Sequence, residues 1–175
     1  MAEHRHTPKN SLAWSVFPSP IGDLTLVADE HALIRLAFPS DPAASFAEGD
    51  SDTADPKALG ILRRAETELS EYFAGTRRKF EVPLNAGLAD GFSARASRQL
   101  ELVPYGSQVT YGELAERVGN RKAARAVGTM CAQNPIPIFI PCHRVVRADY
   151  SPGQYRGGVR TKRYLLDLEK ATDES

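Results

Sequence analysis

Two residues of this 175-residue sequence could do covalent chemistry side by side, the thiol of Cys142 and the imidazole of His143. A thiol attacks as the thiolate; its free pKa is about 8.5 and burial raises it, so a reactive Cys142 needs a proton acceptor nearby. His143 is the candidate. Neighbours in an extended chain point to opposite faces, so the two should communicate through a water or a backbone bend, not by direct contact. Ile138, Phe139 and Ile140 on one side and Val145 and Val146 on the other predict buried, partly strand-like surroundings. Pro135, Pro137 and Pro141 forbid helix and remove backbone donors, so the approach to the thiol is predicted to be extended and rigid. A Cys-His dipeptide alone is more often structural than reactive, and the wider pattern has to decide.

The elements that must position this pair are legible on both sides of it. Thr110 reads as an N-cap for a helix over residues 111–118, and Glu113 three positions on completes a capping box. Gly119 and Asn120 break that helix and Lys122 to about Gln133 resumes it, which is helix-turn-helix spacing, although a helical hairpin with no DNA role looks the same. The second helix has an almost side-chain-free face of Ala123, Ala124, Ala126 and Gly128, with Arg125 as the exception. Small residues let backbone approach a duplex closely, and one long cation among them can fill a gap in a base stack. Upstream, Ser93 is predicted to cap a helix from Ala94 to about Val103, followed by a turn at Pro104, Tyr105 and Gly106. Downstream, residues 162–170 read as a terminal helix with Tyr164, Leu165 and Leu168 on its apolar side and Glu169 near its end.

The first half has a different pattern. Residues 13–17, 23–28, in which Leu24, Leu26 and Ala28 alternate with Asp23, Thr25 and Val27, and 33–38, with turns at Pro18 to Gly22 and Asp29 to His31, predict a three-stranded antiparallel meander. Ser40 to Asp55 reads as a loose surface loop, and Asp55-Pro56 starts a helix whose Leu59, Leu62, Leu69, Tyr72 and Phe73 recur near helical spacing until Gly75. Arg77, Arg78 and Lys79 read as a solvated run, and the polar start with His4 and His6 as a tail. The expected fold is α+β in two domains: residues 1–85 form the sheet and its helix, and residues 86–175 a helical domain with helix-turn-helix and winged-helix character.

An apolar content of 42% and a charged content of 25% are those of an ordinary globular protein. No run of eighteen apolar residues exists and the first residues are polar, so neither a membrane span nor a secretory signal is expected; the expected location is the cytoplasm, or the nucleus in a eukaryote. Cys131 and Cys142 have neither metal-ligand nor disulfide-framework spacing, so no metal and no cofactor is expected, and Cys131 reads as a small apolar helix residue. The formal charge is zero, but residues 1–85 carry 9 basic and 13 acidic side chains while residues 86–175 carry 13 and 9. The half with the cysteine is the basic one, which fits a DNA-facing portion.

Asn134-Pro135-Ile136-Pro137-Ile138 followed by Ile140-Pro141-Cys142-His143-Arg144-Val145 resembles the active-site signature of the O6-alkylguanine-DNA alkyltransferases, the single-turnover DNA repair proteins. Arg125-Ala126-Val127-Gly128 resembles that family's recognition helix, with Asn134-Pro135 in register behind it, and Gln154-Tyr155-Arg156-Gly157-Gly158 resembles its substrate-pocket loop. The resemblance is strong from about Leu84 to Glu169 and weaker before. It departs over residues 129–133, where an Arg is missing, at Ala96 and Ser97, where a Trp is usual, and at Tyr150.

The resemblance implies double-stranded DNA containing alkylated guanine as the partner of a monomer. It implies that Cys142 accepts the alkyl group from guanine O6, or thymine O4, while Glu169 orients His143, Tyr111 donates toward the departing base and Asn134 braces the site. Arg125 would hold the space of an extruded nucleotide, with Ala124, Ala126, Gly128 and Thr110 against the DNA; Val145, Tyr155, Arg156 and Gly157 would form the pocket, with the Val145 and Cys142 carbonyls accepting from the base amine. Two other readings stand beside it. A Cys-His hydrolase has no glycine-flanked nucleophile turn to support it. A non-catalytic alkylated-DNA sensor, like the alkyltransferase-like proteins, would lack the cysteine. The zinc-thiolate domain of the family's regulatory relatives is not expected, since no cysteine precedes position 131.

Overall fold

The computed structural model describes residues 12–48 and 54–174. The segment with His4 and His6 and the middle of the Ser40 to Asp55 stretch lie outside the described residues. Strands β1 (Ala13–Phe17), β2 (Leu24–Ala28) and β3 (Leu33–Ala37) form the antiparallel meander in the order β1-β2-β3. The β1–β2 turn needs its glycine: Gly22 has φ +103°, and a Cβ there would lie 2.7 Å from the Pro39 ring. β2 is buried along its whole length. Helix α1 (Pro56–Phe73) starts where Asp55 accepts from the Lys57 N–H at 2.7 Å, with proline at the first helical position. Its Ala58, Leu62, Ala65, Leu69 and Tyr72, spaced by three and four, are buried against the sheet.

Part of the predicted loose loop is ordered. Residues Pro42–Glu48 form a 3-10 turn that packs on β1 and β2. Asp41 opens it by accepting from the Ala43 N–H at 3.0 Å, the short-range bond by which aspartate starts such turns.

In the second half, α2 spans Phe92–Glu101. Ser93, predicted as its cap, lies inside the helix; Gly91 is the N-cap and makes no side-chain cap bond. Phe92 packs against the core, so burial of the aromatic ring sets the helix start rather than a serine hydroxyl. Strand β4 (Val109–Thr110) leads into α3 (Tyr111–Arg117), where Thr110 Oγ1 accepts from the Glu113 N–H at 3.1 Å and Glu113 accepts from the Thr110 N–H at 2.7 Å, the complete capping box. The chain resumes through a 3-10 turn at Arg121–Ala123 before α4 (Ala124–Ala132). Strand β5 (Val145–Val146) pairs in parallel with β4, Val109 against Val145 and Thr110 against Val146, and α5 (Val159–Asp173) closes the chain. This two-residue ladder ties the start of α3 to the chain leaving Cys142.

The architecture is α+β, a three-stranded antiparallel sheet with its helix followed by a helical domain containing a helix-turn-helix. One apolar core runs through both halves, from Leu24 and Leu69 to Leu114, Ile136 and Leu165. The Leu36 N–H donates to the Pro135 carbonyl at 2.9 Å, and the Phe80 and Phe139 rings meet at 4.5 Å, so the sheet holds the approach to Cys142 directly. Among the described residues no helix is long and apolar enough to cross a membrane.

Candidate active site and recognition helix

The approach to Cys142 is not extended. From Asn134 to Arg144 the chain folds in tight turns: Ile140 N–H to Ile136 O at 3.0 Å, Cys142 N–H to Ile140 O at 2.8 Å and Arg144 N–H to Pro141 O at 3.0 Å. Cys142–Arg144 is itself a 3-10 turn, and Ile138 sits at φ +75°, a costly backbone for a β-branched residue. The prolines are the cause. They cannot donate to a ladder, so this buried segment satisfies its remaining donors locally and through Asn134. Asn134 Oδ1 accepts from the Ile136 N–H at 3.0 Å, while Nδ2 donates to Ile140 O at 2.9 Å and to Cys142 Sγ at 3.2 Å.

The turn also sends the two reactive side chains apart, Sγ to Asn134 and the imidazole to Glu169. Cys142 is 2% exposed; burial pushes its pKa up, with Asn134 and Lys162 working against the shift, so it is held as a thiol at neutral pH. His143 is fully buried. Burial pushes the imidazole pKa down, more strongly than its bond to Glu169 pushes it up, so it is neutral and able to accept a proton. Its Nε2 lies 2.7 Å from Glu169 Oε1, and its Nδ1 has no hydrogen-bond partner among the described residues.

Glu169 is the most heavily bonded group in the site. Arg144 grips it with a fork, Nε to Oε2 and Nη2 to Oε1, both at 2.9 Å, and Tyr72 and the Gly106 N–H add to it. Burial raises the carboxyl pKa, but hydrogen bonds from His143 and Arg144 outweigh it and hold the value down at about 2. A carboxylate depressed in the folded state contributes stability above its unfolded pKa and loses it as pH falls through the folded one. We therefore expect Glu169 to stabilise the fold fully above about pH 4.5 and to lose that contribution progressively toward about pH 2. Acid titration of thermal stability checks this: Glu169→Gln should flatten the profile in that window, and an unchanged profile would contradict it.

The sequence pattern missed three of the groups at this centre: Arg144, Tyr72 and Lys162. Along α5 the buried positions are Lys162, Leu165 and Glu169, whereas Tyr164, predicted on the apolar side, is 37% exposed. The spacing of three and four that marks a buried face is present, but charged residues occupy it at both ends, so apolar periodicity could not find it. Lys162 Nζ donates to the Val145 carbonyl at 2.6 Å and to the Gln154 carbonyl at 3.3 Å. The Val145 carbonyl, expected to face a base amine, already serves a lysine with one lone pair.

A cleft of about 780 Å³ joins Cys142 to α4. Ala124, Arg125, Gly128 and Thr129 line it from the helix, and Tyr111, Arg147 and residues 153–156 from the other side. Arg125 and Ala126 are exposed, and Ala126 does not line the cleft. Cys131 lines it too, but burial pushes its thiol well above the ordinary range. Thr110 is buried, and its hydroxyl oxygen accepts from the Glu113 N–H in the cap that anchors α3 of the helix-turn-helix. Tyr111 is half-buried, and burial followed by the two cysteines raises its pKa, so it remains a phenol donor.

The pocket loop rests on the N-terminal half. The Tyr155 ring meets Phe38 edge-on at 5.5 Å with its hydroxyl unpartnered among the described residues, and a Cβ on Gly157 would come within 3.0 Å of Phe38. Arg156 Nε lies 2.8 Å from Asp41 Oδ2, and its Nη1 reaches the Asn134 carbonyl at 3.4 Å.

A helix-turn-helix whose small-residue helix shares a cleft with a buried, asparagine-bound thiol defines a DNA-binding alkyl-acceptor class, and the comparisons with known proteins agree. Residues 12–86 match the 6-O-methylguanine DNA methyltransferase, ribonuclease-like domain, and residues 91–171 the 6-O-methylguanine DNA methyltransferase, DNA binding domain. The chain belongs to the methylated-DNA–protein-cysteine methyltransferase family. It is 36% identical over 160 residues to the methylated-DNA–protein-cysteine methyltransferase of Methanosarcina acetivorans, covering 89% of this chain and 97% of that protein. It is 39% identical over 156 residues to that of Mycobacterium bovis, covering 87% and 89%. Among solved structures, the Mycobacterium tuberculosis O6-methylguanine methyltransferase superposes with a TM-score of 0.79 at 37% identity, over 92% of this chain and 94% of that one. The M. tuberculosis protein in complex with DNA gives a TM-score of 0.78 at 37% identity, over 91% and 94%.

Proposed function

We propose that this protein repairs double-stranded DNA by transferring the alkyl group of O6-alkylguanine, and of O4-alkylthymine, to its own Cys142. The observation that carries this reading is the single cleft that has the Cys142 thiol and the small-residue face of α4 among its walls. A thiol held in a proline-stiffened turn cannot reach a base still in the stack, so the nucleotide is extruded and Arg125 fills the space it leaves. His143, held by Glu169, takes the Cys142 proton through a water at Nδ1. Sγ attacks the alkyl carbon, the carbon–O6 bond breaks, and its electrons pass to the base, which Tyr111 helps to protonate. The product is a thioether that no group in the site can reverse, so each chain reacts once and needs no cofactor. The acting form is a cytoplasmic monomer.

Counting alkyl groups transferred per chain by mass spectrometry, with methylated duplex in excess, tests the proposal. One group on the peptide containing Cys142 is the expected result. Many groups would indicate a hydrolase, none a sensor of alkylated DNA, and label on the Cys131 peptide would move the acceptor.

Reaction should also destabilise the protein. Cys142 belongs to the same buried core as Ile138, Ile140 and Val145, and a methyl inserted into a packed core typically costs about 1–3 kcal/mol. Alkylation further weakens the sulfur as acceptor for Asn134, and an unmade buried bond costs about 1–3 kcal/mol more. Against a total stability of about 5–15 kcal/mol, the two terms together should lower the melting temperature by several degrees. An alkylated form that melts at or above the unreacted protein would refute this.

A further inference from the structure

Five donors converge on Glu169. Oε1 accepts from His143 Nε2 at 2.7 Å, Arg144 Nη2 at 2.9 Å and the Tyr72 hydroxyl at 2.9 Å; Oε2 accepts from Arg144 Nε at 2.9 Å and the Gly106 N–H at 3.2 Å. Four of these belong to the C-terminal half. Tyr72 stands at the end of α1, 97 residues before its partner in the chain. It is 1% exposed, and its ring is fixed by Phe73, Phe80 and Tyr105 with centroids at 5.4, 5.3 and 6.1 Å. Burial, then the charge of Glu169, push the phenol pKa well above its ordinary value, so the hydroxyl is a fixed donor.

We infer that Tyr72 is a positioning residue for alkyl transfer, its hydroxyl being the contact through which the N-terminal half holds Glu169 Oε1 against His143. The inference rests on the proposed role of the His143–Glu169 pair. Tyr72 and His143 share one oxygen. Each donor on a carboxylate spreads its charge, so removing one strengthens its hold on the other donors. Without the Tyr72 hydroxyl, Glu169 favours the imidazolium more strongly, opposed as before by Arg144 and Lys162, the other charged groups acting on His143. The neutral imidazole that takes the Cys142 proton then appears only at higher pH.

The test is the pH profile of the single-turnover rate on methylated duplex for full-length Tyr72→Phe, which keeps the ring and deletes the donor. The acid limb should move up by about one pH unit, roughly the weight of one hydrogen bond to a charged group, with transfer still reaching one group per chain. Tyr105→Phe is the control, since it removes a hydroxyl from the same aromatic cluster that is paired with Thr172; its limb should coincide with the wild type. A Tyr72→Phe profile that superimposes on the wild type, or a uniform fall at every pH with no displacement, overturns the inference, as does an equal shift in Tyr105→Phe. Glu169→Gln separates the two levels. A flat Tyr72→Phe result beside a crippled Glu169→Gln overturns this inference alone, whereas an unaffected Glu169→Gln overturns the His143–Glu169 reading with it.

Discussion

Replacing Cys142 by serine is expected to reduce alkyl transfer to background while binding to alkylated duplex survives. The hydroxyl is nearly the size of the thiol and can accept from Asn134 Nδ2 as Sγ does at 3.2 Å, so the turn from Asn134 to Arg144 should keep its shape. What changes is the nucleophile. Burial already pushes the Cys142 thiol above its ordinary pKa, and a hydroxyl in the same place is far harder to deprotonate with a neutral, buried His143 as the base. Cys131 is no substitute: it lines the same cleft, but burial and the nearby Cys142 push its thiol well above the ordinary range, and Lys162 offsets only part of that. Alkyl transfer should be followed by mass spectrometry and binding by titration of a methylated duplex. Transfer above background in Cys142→Ser would sink the assignment of the acceptor, and loss of binding would show that the sulfur also holds the fold of the cleft.

Arg125→Ala is expected to slow repair of duplex DNA by orders of magnitude and to leave reaction with the free alkylated base nearly unchanged. Arg125 is exposed on α4, one turn ahead of Thr129, whose hydroxyl donates to the Arg125 carbonyl at 3.1 Å. Its neighbours Ala124 and Ala126 carry too little side chain to hold a gap in a base stack. Extruding a nucleotide costs a few kcal/mol, and each 1.4 kcal/mol or so is about tenfold in rate, so a lost wedge reads directly in the duplex reaction. The free base needs no extrusion, and Arg125 makes no bond to Cys142, His143 or Glu169. Single-turnover rates on the two substrates decide the matter. Equal slowing on both would place Arg125 in the chemistry of the thiol and not in the handling of DNA.

Local rules carried the sequence a long way here. Short apolar stretches bounded by turn residues are enough to define β1 to β3, although β2 is buried along its whole length rather than on alternate residues. Asp55 with Pro56, and Thr110 with Glu113, mark helix starts because the cap bonds span only two or three positions. The signature around Cys142 and the Arg125-Ala126-Val127-Gly128 run identified the family, and Cys142, Arg125 and Gly128 from these runs line one cleft. Ser93 failed as a cap because a tertiary effect, burial of Phe92, outweighed a local hydrogen bond.

The sequence by itself therefore determined the order of the main elements and singled out the proposed nucleophile and recognition helix, each of which depends on residues adjacent in the chain. The tertiary structure alone decided what surrounds them. Apolar periodicity treats a charged residue as exposed, yet Lys162, Arg144 and Glu169 are buried, because partners up to 97 residues away supply the hydrogen bonds that make burying a charge tolerable. The same holds for the turn at Cys142: the three prolines deny it a ladder, and the Leu36 N–H bond to the Pro135 carbonyl and the contact of Phe139 with Phe80 hold the bent segment that sends the thiol one way and the imidazole the other.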